Sequence, residues 1–287
     1  MTEVLETTSG SSPRMRMNKR ILTLAATGIG AAGIAFVVAG AIVFGDFGIA
    51  PDFSARLAAP SWAHWFGTDQ FGHDMFARTV HGLNVSLWVG LIAATLSAFI
   101  ALGLSVFATT CGRWADMLVS FLVDATMGLP HLVLLILISF ALGGGTHAVI
   151  VAVATTHWPR LTRVLRAEIL QLRHADFIVV SRRLGKSWWY IGRHHFLPHL
   201  LPQLLVGLVL LFPHAILHEA GLTFIGFGLE PTKPAIGVLL ADSMRYLTAG
   251  NWWLGLYPGL CLLLLVLCFD AIGNGLRLLL DPRQAHR

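Results

Sequence analysis

Asp176 to His199 reads DFIVVSRRLGKSWWYIGRHHFLPH. It is one of the few long polar interruptions in a chain that is otherwise apolar enough for lipid. Its first part predicts a short amphipathic helix. Asp176 opens that helix, where a carboxylate suits the N-terminal end of the dipole. Phe177, Ile178, Val180 and Leu184 supply an apolar stripe. Arg182 and Arg183 fall near the far end, where cations suit the dipole. Gly185 stops the helix as a residue free to take φ > 0. Ser187 then caps a second short helix carrying Trp188, Trp189 and Ile191, and Pro198 lies near the start of the next apolar run. Two short helices either side of a glycine, between two apolar runs, form a handle that a soluble partner can grip. The same residues also suit a helix lying on lipid headgroups, anchored by Trp and Arg.

The rest of the chain says what the handle is attached to. Of 287 residues, 55% are hydrophobic and only 12% are charged. Mean hydropathy is +0.71. Soluble domains carry about a quarter charged residues, so this is an all-α, polytopic membrane protein. The 3 Cys residues show neither a disulfide framework nor zinc-type spacing. A net charge of +5 raises nucleic acid as a partner, but its distribution points to membrane orientation instead.

Residues 1–20 form a polar tail rich in Arg and Lys, and residues 21–44 form an uncharged first span. Residues 45–83 read as an extracytoplasmic loop. Residues 84–280 then hold five further spans, with the polar handle, taken as 173–198, between the fourth and fifth. The third, Met117 to Leu142, is interrupted by Asp124 and by Pro130-His131. Arg160, Arg163 and Arg166 recur along the exit end of the fourth, and the fifth runs from about Leu200 to Leu222. Residues 281–287 close the chain as a second tail. Six spans put both tails on one side. Of the 20 Lys and Arg residues, 16 fall on that side, and only Arg56, Arg78, Lys233 and Arg245 on the other. The positive-inside rule makes the richer side cytoplasmic, so the handle faces the cytosol.

The handle resembles the coupling loop of binding-protein-dependent ABC importer permeases. Their motif runs glutamate, two alanines, three residues and a glycine, and ends near a leucine–proline pair. Val179, Val180 and Ser181 replace the name-giving triplet, while Gly185, Leu197 and Pro198 keep their places. Asp176, Phe177 and the run His195 to Pro198 are similar to the peptide/nickel branch. His199 stands where that branch has asparagine. Phe66 to Leu87 fits the same branch at Gly67, Thr68, Asp69, Gly72, Asp74, Arg78, Gly82 and Ser86. So does the region from Glu219 to Pro282, through Phe224 to Gly228, Trp252-Trp253, Pro258-Gly259 and Asp281-Pro282. The resemblance covers roughly residues 60–283. It implies a type I importer core and an ATPase-coupling surface at Asp176, Phe177, Val180, Ser181, Arg182, Leu184, Gly185 and Pro198. It also implies a heterodimer with a second permease, two ATP-binding subunits, an extracytoplasmic solute-binding protein, and the inner membrane of a prokaryote. No cofactor is expected on this chain, and ATP and Mg belong to the partner subunits. Consistent with that, the sequence has no Walker-type phosphate loop and no supported Ser-His-Asp set.

Ionisable groups in spans face a cavity or a protein neighbour, because exposure at the bilayer centre costs about 2.5–3.5 kcal/mol on insertion scales. The substrate-path candidates are Asp124, His157, His214, His218 and Glu219, with His131 and Asp270 beside them. His214 and His218 share one helix face, a spacing that suits a transition metal and equally suits plain helix packing. The 13 histidines lean the cargo reading towards nickel or cobalt, with dipeptides or oligopeptides as the alternative. A proton-coupled carrier using Asp124, Glu219 and the histidines as a relay is the rival class, and no internal repeat supports it.

The charge split makes a topological prediction. In intact cells carrying single-cysteine variants, an impermeant thiol reagent should label Ser61→Cys and leave Arg183→Cys unlabelled. Labelling of position 183 from outside would contradict the orientation.

Overall fold

Lipid offers the backbone no hydrogen-bond partners, and helices satisfy every N–H and C=O within their own segment. The computed structural model describes residues 19–45, 47–48 and 50–280, and these form ten α-helices. Residues 1–18 and 281–287 of the two tails, with Arg14, Arg16, Arg283 and Arg287, lie outside the described residues.

The helices are α1 (Lys19–Phe44), α2 (Met75–Thr110), α3 (Arg113–Gly128), α4 (His131–Ala141) and α5 (Gly145–Leu172), then the short α6 (Asp176–Arg183) and α7 (Trp188–Ile191). One turn of π-helix, Gly192–Phe196, leads into α8 (Leu197–Phe224), followed by α9 (Ile236–Leu247) and α10 (Trp253–Leu280). Helices α1, α2, α10 and the joined run Trp188–Phe224 are each long and apolar enough to cross a membrane. The segment read as the third span is not straight. It breaks into α3 and α4, bent by 98°. Pro130 lacks an N–H and drives Leu129 into extended backbone (φ −91°, ψ 146°), so the helix cannot continue through it. The pair makes a fifth crossing if it counts as one span. The 28-residue α5 is long enough for the sixth, but His157, Arg160, Arg163 and Arg166 keep it out of the strongly apolar class.

Two segments differ from their reading as loop. Helix α2 begins at Met75, inside the stretch 45–83, because Asp74 caps it, accepting from the N–H groups of Phe76 (2.9 Å) and Ala77 (3.0 Å). Helix α9 forms between the fifth and sixth spans, burying Ile236, Val238 and Leu239.

The most extensive pairing is α2 against α5. Small buried residues recur about once per turn along α2, at Ala94, Ala98, Ala101, Ser105 and Ala108, and α5 buries Ala148, Ala152 and Thr156. Small side chains let helices approach closely enough for dispersion and cross-helix hydrogen bonds to hold them where lipid gives no hydrophobic drive. The Ser105 hydroxyl uses that proximity to donate to the Thr162 carbonyl at 3.2 Å. A second close approach joins α1 to α10, where a Cβ on Gly30 would stand 2.6 Å from the Cys268 carbonyl oxygen.

Residues before α2 fold into a cap around Asp69, which is buried. Its carboxylate accepts from the backbone N–H groups of Phe71 and His73, bonds the His73 ring at 2.8 Å, and pairs with Arg78. Burial alone would raise the Asp69 acid. The His73 ring, the Arg78 charge and the two N–H groups outweigh that and hold it below the ordinary aspartate value. A depressed folded value means the stabilisation is present above the ordinary aspartate pKa and is lost as pH falls through the folded one. Asp69→Ala strands Arg78 half inside the cap and should cost about 3 kcal/mol, the scale for breaking a buried pair. A fall in melting temperature with retained membrane insertion checks this, and the variant should lose the wild type's extra sensitivity to acid.

Candidate functional site: coupling segment and cavity

An isolated eight-residue helix is unstable in water, so α6 has to be held by what it touches. Ile178 does most of this. It is buried with Ile191 and Phe196 of the following turns and with Leu165 and Ile169 of α5. Burying an isoleucine fully is worth about 1.5–3 kcal/mol. The rest of the expected apolar stripe does not pack inward. Phe177, Val180 and Leu184 are exposed, as are Val179 and Trp189, and Leu184 reaches 72% exposure. Only Ile178 of the stripe is buried, and Val180 and Leu184 present an exposed apolar face.

Helix α6 ends as its residues dictate. Gly185 has φ +76°. Its N–H donates to the Arg182 carbonyl (3.0 Å) and the Lys186 N–H to the Ser181 carbonyl (3.1 Å), the paired bonds of a Schellman turn. Ser187 caps α7, accepting from the Tyr190 N–H at 3.2 Å. Asp176 lies in the first turn of α6, after Ala175 at the cap position, and Pro198 lies in the first turn of α8. Three further ties fix α6 to α7, to the π turn and to the start of α8. Ser181 bonds the His195 ring at 3.0 Å, Phe177 stacks on His199 at 5.4 Å, and Arg182 stands 4.6 Å over Trp188. Arg173 from the end of α5 also stands over Trp188, at 4.8 Å. The sequence reading missed Arg173, Ile178 as sole anchor, and His195 as a bonding partner. The last was legible only as part of a run.

The second feature is a cavity of about 430 Å³ between the α3–α4 elbow, α5 and α8, with Arg277 of α10 at its edge. His131, His157, His214 and His218 line it together with Arg160. The lining contains two arginines and no carboxylate, so the space is cationic. His157 Nδ1 donates to the Val153 carbonyl at 2.9 Å and His218 Nδ1 to the His214 carbonyl at 2.7 Å. Both bonds leave Nε2 as the ring's lone-pair nitrogen.

Two of the five path candidates lie elsewhere. Asp124 pairs with Arg163 at 2.6 Å on an exposed face and does not line the cavity. Glu219 is fully buried behind α8, where Oε1 accepts from the Thr223 hydroxyl at 3.1 Å. Asp270 is not among the lining residues either. His214 and His218, read as a metal pair, both line the cavity, with His214 Nδ1 3.2 Å from the Leu210 carbonyl. The rings that gather with His218 within 4.8 Å are His131 and His157. Residues i and i+4 share a face, but each ring here bonds its own i−4 carbonyl, and α4 and α5 supply the rings that meet His218.

Residues 100–286, which include both features, match the family model of the binding-protein-dependent transport system inner membrane component. The chain belongs to that family. It is an ABC importer permease subunit and a multi-pass protein of the inner membrane, working with ATPase and substrate-binding partners. A provisionally named peptide transport system permease protein of Brucella suis is 36% identical over 99% of this chain and 98% of its own length. A provisionally named peptide permease protein of the same organism is 39% identical over 81% of this chain and 77% of its own. The dipeptide transport system permease protein DppC of Alkalihalophilus pseudofirmus is 38% identical over 80% and 76%. These names speak of peptides and none of nickel or cobalt, so the metal-cargo expectation, which rested on a few histidines, is set aside.

The permease's turn at Gly185 can be tested without cargo. A Cβ there meets open space, so the penalty is backbone strain alone, about 1–2 kcal/mol for an L-residue in this region. Gly185→Val should open the segment and raise protease cleavage between residues 183 and 192 several-fold, while Gly185→Asn, which tolerates φ > 0, should change it little.

Proposed function

We propose that this permease forms half of the translocation path of an ATP-driven importer of dipeptides or oligopeptides. A second, homologous permease supplies the other half. Two ATP-binding subunits hold the ATP and Mg and do the hydrolysis, and a solute-binding protein delivers cargo from outside. The observation that carries the reading is the exposed apolar face of Phe177, Val180 and Leu184 at α6, a helix that is itself pinned by Ile178, with Trp189 of α7 exposed as well. A face that apolar is matched to a protein socket, and a pinned helix transmits force. Closure of the ATPase dimer would draw the two coupling segments together and reopen the outer side. The cargo class rests on the peptide-named relatives, with a cationic cavity suited to a peptide carboxylate in support.

A proton relay finds less support, because Asp124 lies in a surface pair and Glu219 is sealed behind α8. The test is uptake of labelled dipeptide and tripeptide, and separately of nickel, in cells lacking the gene and complemented with it. Complementation should restore peptide uptake and leave nickel uptake unchanged. Complementation with Leu184→Asp, Val180→Asp should insert normally yet cut peptide uptake at least tenfold and abolish stimulation of the ATPase by the binding protein. Restoration of nickel uptake alone would overturn the cargo, and full uptake by the double variant would overturn the coupling role.

A further inference from the structure

His131, His157 and His218 come from three different helices, α4, α5 and α8, yet offer ring nitrogens that all lie within 4.8 Å of one another. Their ring centroids are 4.7, 4.6 and 4.9 Å apart and their planes cross at 79°, 75° and 78°. Three rings at equal spacing and equal tilt form a three-bladed propeller. Edge-to-face contact is ordinary for aromatic rings, and the same threefold arrangement also suits three imidazoles around one ion.

The details support a metal. His157 and His218 each hold Nδ1–H against a backbone carbonyl, the outer bond that fixes the tautomer of a ligating histidine and aims Nε2 at the ion. His131 Nε2 is buried with no hydrogen-bond partner among the described groups, a ring nitrogen left without the bond that burial demands. Ligands about 2.0–2.1 Å from a tetrahedral ion stand about 3.3–3.4 Å apart, so nitrogens within 4.8 Å of one another close by up to about 1.4 Å when an ion enters. The 3.3 Å contact within the cluster runs from His157 Nε2 to His218 Nδ1, so the His218 ring also turns to present Nε2.

We propose that these three residues form a binding site for a divalent transition ion such as zinc or cobalt, with the fourth position open to the cavity. Three neutral imidazoles suit such ions and not calcium or magnesium, which take oxygen ligands. The Arg160 guanidinium acts electrostatically on His131 and His218 and opposes the cation, so the site is a moderate one. An ion there ties α4, α5 and α8 together across the cavity. On the importer reading, it therefore arrests the cycle as an inhibitory ligand and is not carried as cargo.

The test uses the purified full chain with its partner subunits in nanodiscs, titrated with cobalt. Site formation gives the strong visible d–d bands of tetrahedral cobalt at one ion per chain, displaced by zinc. His131→Gln and, separately, His157→Ala should weaken binding at least tenfold and lose those bands. His214→Ala should keep them, and Arg160→Gln should tighten binding several-fold. Retention of the bands in both the His131 and the His157 variants, or only weak octahedral bands in the wild type, would overturn the site. Zinc inhibition of ATP hydrolysis that persists in His131→Gln would overturn the tie between helices. The cobalt spectrum does not depend on transport, so its outcome stands apart from the fate of the importer reading.

Discussion

The constraint behind this structure is that hydrocarbon satisfies no polar group. A chain with so few charges in so apolar a background must fold into helices that close their own hydrogen bonds, and every departure from that rule has to be sheltered or put outside. Each departure here follows one of those courses. The Asp69 network sits in a cap beyond the spans, and the break at Pro130 opens onto a cavity wall. Glu219 is enclosed with Thr223, and the arginines of α5 run towards the end that leads to α6, where Arg166 pairs with Asp116 at 2.6 Å. With no hydrophobic drive between helices in lipid, the small-residue seam between α2 and α5 supplies the contact that makes a bundle of these spans.

On that frame the coupling segment and the cavity are joined through the same two helices. Helix α5 carries His157 in its middle and ends next to α6, with Leu165 and Ile169 packed on Ile178. Helix α8 carries His218 near its outer end and begins at the turn that holds His195 and His199 against α6. A displacement of α6 is therefore imposed at once on both helices that bear the cavity wall. Short, over-determined contacts make such a unit move as a body, as a bistable element requires.

Much of this was legible in the residues. Gly185, Ser187 and Asp176 foretold the two short helices and their turn, because capping chemistry is local. The apolar runs foretold the long helices for the same reason. What escaped was decided between segments. The stripe Phe177, Ile178, Val180 and Leu184 is amphipathic by period, but which member is an anchor depends on α5 and the π turn, and only Ile178 meets them. Likewise His214 and His218 share a face in sequence and one cavity in the structure, while α4, which starts at the bend, places His131 within 4.8 Å of His218. Asp124 interrupts an apolar run in the sequence, and its partner Arg163, 2.6 Å away, comes from a different helix.

The central claim is that the apolar face of α6 is a socket surface for an ATP-binding subunit and not an anchor in lipid headgroups. Photo-crosslinking from a diazirine side chain at position 184, in membranes holding the whole transporter, tests it most directly. The account predicts a crosslink to the ATP-binding subunit as the main product, with a yield that changes on adding nucleotide. Adducts with phospholipid alone, unchanged by nucleotide, would contradict it.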